Sequence, residues 1–115
     1  MSETPATYWA AIKEIATLRA RLAVEKAAKE AGPILAERKR QDDKWGVQDH
    51  DDPLWLAILT EEVGEAAQCI CRANDGDAPA GDIDKEIVQV AAVALAWLEC
   101  RKRAALRRLV GRDKP

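Results

Sequence analysis

Two glutamates one helical turn apart, Glu62 and Glu65, are followed after 20 residues by Glu86 and, three positions later, by Gln89. Residues three apart stand on the same side of an α-helix. Glu62 and Glu65 share a stripe with Ile58 and Cys69, and Glu86 and Gln89 share one with Val93, Trp97 and Cys100. Carboxylates set among apolar residues lose hydration worth several kcal/mol and repel one another. They therefore need cations between them. Oxygen ligands from two facing helices suit a hard divalent ion, Mg²⁺ or Mn²⁺. Lys or Arg side chains would serve equally, and the spacing alone leaves both solutions open. Glu61 falls with Thr60, Gly64 and Gln68 on the wet side of the same helix, which makes it the weaker candidate for a general base. No Cys/His spacing suits zinc. Cys69 and Cys71, two apart, point to opposite sides of a helix, and the three Cys read as buried thiols.

The elements that must position these residues read as helices. A helix is expected over residues 5–31: Pro5 suits its first turn, residues 6–31 contain no Pro or Gly, and Gly32-Pro33 stops it. Tyr8, Ile12, Ile15, Leu18 and Leu22, with Val24 as a marginal member, form a narrow stripe, suited to an arm packed on neighbouring helices or another subunit. A short second helix over 33–45 ends at Gly46. The segment Val47-Gln48-Asp49-His50-Asp51-Asp52-Pro53 reads as a loop, folded or capped in part by His50, with Asp51 or Asp52 capping a third helix from about Pro53 to Ala73. On that helix Leu56, Leu59, Val63, Ala66, Ala67 and Ile70 are expected to face the core. A turn-rich stretch, residues 74–81, precedes a fourth helix from about Asp82. Its segment Ile87–Leu98 is apolar except at Gln89, which predicts a central, buried helix.

Length and composition set the outer bounds. A chain of 115 residues with no Phe has room for one domain, 1–115, and a thin core that a second subunit would complete. The expected fold is all-α, an antiparallel bundle of about four helices. A net charge of -2 gives no general attraction to nucleic acid, and no apolar run spans a membrane. With no signal-like start, a cytoplasmic protein is expected. The basic segment 101–115 suits a helix C-terminus better than a nucleic-acid tail.

The pattern Glu62-x-x-Glu65, 20 residues, Glu86-x-x-Gln89, with the surrounding words ERKRQDDKWG, WLAILTEEVGEAAQ and EIVQVAAVALAWLE, resembles the MazG-like nucleotide pyrophosphohydrolases, small single-domain bacterial and phage proteins of the all-α NTP pyrophosphatase group. The resemblance covers about residues 36–100 and leaves 1–35 and the C-terminal segment outside. It implies a helical bundle assembled as a dimer or tetramer. It also implies Mg²⁺-dependent cleavage of nucleoside triphosphates to monophosphate and pyrophosphate, a nucleotide-pool housekeeping role. Carried onto this chain, Glu62, Glu65 and Glu86 become metal ligands that position the ion and activate water, with Glu61 as a candidate base. The family's last acidic ligand is Gln89 here, whose amide oxygen can ligate Mg²⁺ without bringing charge. Three readings follow: a site with one weaker ligand, compensation by Asp82 or Asp84, or a helical binding module that has lost turnover.

Substrate contacts are expected from the segment before the acidic helix. Arg38, Arg40 and Lys44 could meet phosphate oxygens, and Trp45 or Trp55 could stack on a base, with Gln89 reaching the substrate from the last helix. Solvated charge on a short helix and core packing of the tryptophans account for the same residues without a ligand.

Overall fold

A computed structural model describes residues 5–76 and 81–112. These form three helices, α1 (Pro5–Trp45), α2 (Asp52–Asn74) and α3 (Gly81–Arg112), with no strand among them. The fold class is therefore all-α. No described helix is long and apolar enough to cross a membrane. The chain divides into two compact units, Met1–Gly32 and Pro33–Pro115.

The expected first and second helices are a single 41-residue element, because Gly32-Pro33 does not stop it. Proline lacks an N–H and removes one i→i−4 hydrogen bond, a loss a helix can survive. Here strong helix formers flank Gly32-Pro33 on both sides, in KAAKEA before and ILAERKR after. The real stop is Gly46. Its φ of 71° is left-handed, and its N–H donates to the Asp42 carbonyl at 2.8 Å. An L-residue disfavours that conformation, so glycine closes α1 here.

The second unit is organised by α2 packed on α3. As expected, Asp51 caps α2: its Oδ1 accepts from the Leu54 N–H at 3.2 Å, with Pro53 in the first turn. The helix ends at a turn in which Gly76, φ 78°, donates to the Ala73 carbonyl at 3.1 Å. Of the turn-rich stretch beyond it, residues 77–80 lie outside the described residues. The core holds Trp55 with Val93, Ala96 and Cys100, and Ile58, Leu59 and Trp97 pack against it.

Two expectations about burial are corrected. The face of α2 turned toward α3 is Trp55, Ile58, Leu59, Glu62, Ala66 and Cys69, which keeps Leu59 and Ala66 of the expected face, whereas Ala67 is exposed and Leu56, Val63 and Ile70 are 44% to 55% exposed. The stripe holding the carboxylates won the core because it carries Trp55, whose large ring anchors the helix pair. On α3, Ile87 and Leu98 are likewise exposed, so that helix is buried on one side of the chain rather than all round. Cys71 is exposed; Cys69 is partly covered and Cys100 buried, all three as free thiols.

Candidate metal centre

Glu62 and Glu65 come from α2 and Glu86 from the first half of α3, and one carboxylate oxygen of each lies within 4.8 Å of the others. The antiparallel crossing of α2 and α3 brings them together: the start of α2 meets the later part of α3 through Asp52, Trp97 and Arg101. Its end therefore faces the start of α3. Glu65 is exposed, while Glu62 and Glu86 are partly buried, and Glu86 Oε2 is a buried oxygen with no hydrogen-bond partner. Burial raises the Glu62 carboxyl above its ordinary value of 4.5, and the neighbouring charges of Glu65, Glu86 and Glu61 push it further in the same direction. An oxygen without a donor and a carboxyl raised by its neighbours are what a hard cation would relieve. The three side chains thus fit Mg²⁺ or Mn²⁺ by charge, donor type and proximity. Among the described residues no Lys or Arg forms an ion pair with any of the three.

Gln89 stands one helical turn beyond Glu86 and turns toward α1. Its Oε1 accepts from Gln41 Nε2 at 3.5 Å, and its side chain also bonds the Glu37 carboxylate. Glu37 in turn accepts from Arg40 at 2.6 and 2.8 Å and from Gln41 at 3.2 Å. The Arg40 hydrogen bond is the largest influence holding Glu37 down at about 2. Asp82 and Asp84 are exposed on the first turn of α3, outside the three-carboxylate cluster. Glu61 is exposed on the side away from it, and its charge reaches Glu62 only through space.

Beside the cluster a cavity of about 220 Å³ opens between the end of α1, the loop after it, α2 and α3. Glu62 lines both, which joins cavity and carboxylates into one site. Of the residues expected to meet a substrate, Arg38, Trp45, Trp55 and Gln89 line this cavity, and Lys44 and Arg40 do not. Lys44 Nζ instead sits 4.8 Å from the Trp45 ring centre, with the Arg40 guanidinium 5.7 Å from it.

Arg38 is only 9% exposed and is held by Glu99 at 2.5 Å, Asp42 at 3.1 Å and Gln41 at 3.2 Å. Its charge is already matched, so it ties α1 to α3 as well as lining the cavity. Trp55, 3% exposed, is core, and its ring meets His50 edge-on at 5.0 Å. His50 does fold the loop, its carbonyl accepting from Cys100 Sγ at 3.4 Å.

Sequence reasoning missed Arg103, which lines the cavity and donates to the Gln48 carbonyl at 3.1 Å and to Asp49 at 3.0 Å. Arg107 also reaches Asp49, at 2.7 Å, and Arg101 pairs with Asp52. Arg101, Arg103 and Arg107 thus tie α3 to the α1–α2 loop and to the first residue of α2. Asp49 and Asp52, close together in the sequence, and the cluster Arg101, Arg103 and Arg107 were the available signal. Searches of protein-family models, curated proteins and solved structures find no match to this chain.

Proposed function

We propose that this chain is a Mg²⁺-dependent nucleoside triphosphate pyrophosphohydrolase, cleaving an NTP or dNTP to its monophosphate and pyrophosphate. The observation that carries the reading is the convergence of Glu62, Glu65 and Glu86, with the orphaned Glu86 Oε2 among them, at the edge of a cavity. The resemblance of the acidic motif to the MazG-like family supplies the reaction class.

In this reading Glu62, Glu65 and Glu86 hold the ion. Bound Mg²⁺ would neutralise phosphate charge and lower the pKa of water. A triphosphate, with about four negative charges, cannot approach three carboxylates without such cations. The cavity takes the nucleoside end: Trp45 and Val47 give apolar wall, while Gln41, Gln48 and Arg103 give polar contacts. Arg38, fixed by Glu99, presents its charge at a constant position rather than swinging to the substrate. Glu61, exposed on the side away from the cluster, is poorly placed to act as the general base. Assembly belongs to the same proposal. By helical geometry the exposed Leu56, Val63 and Ile70 of α2 and Ile87 and Leu98 of α3 lie on one side of the hairpin, and a second copy's hairpin would cover them.

A binding module without turnover is the second reading, favoured by the uncharged Gln89 and its engagement with α1. Calorimetric titration with Mg²⁺ addresses the shared premise. The wild type is expected to bind, and Glu86→Gln to bind at least about tenfold more weakly. Equal heats from both proteins would remove the metal centre.

A further inference from the structure

The unit Met1–Gly32 contains the part of α1 that lies outside the acidic site, and it carries a face of its own. Tyr8, Ile12, Ile15, Leu18 and Leu22 are each between 42% and 55% exposed. At 100° per residue they fall in one band about 120° wide. Their spacing is four, three, three, four, which reads the same in both directions about Ile15. A two-fold interface requires this kind of self-complementarity, in which residue i meets j and j meets i.

We infer that this stripe pairs antiparallel with the same stripe of a second copy. Ile15 meets Ile15 on the two-fold axis, Tyr8 lies opposite Leu22, and Ile12 lies opposite Leu18. Charge decides the direction. A parallel, in-register pair extends the seam through positions 19, 26 and 29, setting Arg19, Lys26 and Lys29 each against its own copy. The antiparallel pair places Arg19 opposite Ala11 and carries Lys26 and Lys29 past the partner stripe's end at Tyr8. Five half-exposed large side chains from each copy, with Ala11 between them, offer on the order of 1,000 Å² in total, the threshold for a biological interface and the size of a weak, reversible pair. This pairing does not depend on the acidic site or on the reaction assigned to it.

Thiol cross-linking of the full chain tests it, with Cys69→Ser and Cys71→Ser removing the two more accessible thiols. Tyr8→Cys and Leu22→Cys proteins are oxidised separately and after mixing. The disulfide-linked dimer is expected in the mixture at least about tenfold above either protein alone. Cross-linking of each variant with itself would mean parallel pairing, and none in any sample would mean no pairing at this face; either overturns the inference. In parallel, Ile15→Asp sets two carboxylates together on the axis. It is expected to lower the light-scattering mass by a factor of two while helical circular dichroism is retained. An unchanged mass also overturns the inference, as does a lower mass without the mixed cross-link, which would place the stripe against some other surface.

Discussion

Glu62, Glu65 and Glu86 carry the functional reading, and their energetics give it a pH signature. The folded Glu62 holds its proton more tightly than an unfolded glutamate, so its contribution to stability falls as pH rises from its ordinary value of 4.5. Mg²⁺ takes the place of that proton. Its stabilising effect should be absent well below pH 4.5 and grow as pH rises above it, read as the rise in Tm on adding Mg²⁺. A Mg²⁺ effect that did not grow with pH would separate the ion from these carboxylates. Gln89 leads to a different expectation. Read from the sequence, it is a ligand that has lost its charge; in the fold its amide joins Gln41 and Glu37. Gln89→Asp would remove a donor to the Glu37 carboxylate and place a like charge beside it. We expect a loss of about 1–3 kcal/mol in stability and no gain in Mg²⁺ affinity, measured by denaturation and calorimetry. A tighter Mg²⁺ site in Gln89→Asp would restore the ligand role.

The helices were legible to different depths. The start of α2 and its Asp51 cap, the stop at Gly46 and the carboxylate stripe follow from local chemistry that sequence displays directly. Gly32-Pro33 misled because helix interruption depends on what surrounds it, and the Ala-, Lys- and Glu-rich flanks outweigh one missing hydrogen bond. Pro33→Ala restores that bond at an exposed position. It should stabilise α1 by about 1–3 kcal/mol, seen as helical circular dichroism persisting to higher temperature. A lower melting temperature would show that the proline shapes a bend the protein needs. The core face of α2 misled for another reason. Two apolar stripes compete there, and periodicity cannot say which one meets α3 and which stays exposed.

At the scale of the molecule, the surplus of exposed apolar surface is itself informative. A hairpin with Leu56, Val63 and Ile70 beside Ile87 and Leu98 on one side has the surface of half a bundle. Light scattering of the wild type should give at least twice 12.7 kDa, and Val63→Asp with Ile70→Asp should lower it. A monomeric wild type at micromolar concentration would contradict assembly at either face. What sequence could not display is the third dimension of the site. The cavity, its Arg103 wall and the pairing of the aspartate loop with α3 arise from residues about fifty positions apart. The central claim is the reaction. Pyrophosphate release from a panel of NTPs and dNTPs, with Mg²⁺ and with EDTA, for wild type beside Glu65→Gln, tests it most directly. The account predicts release that EDTA abolishes and that Glu65→Gln reduces at least about a hundredfold. Absence of release from every nucleotide, or release indifferent to EDTA and to Glu65→Gln, would contradict it.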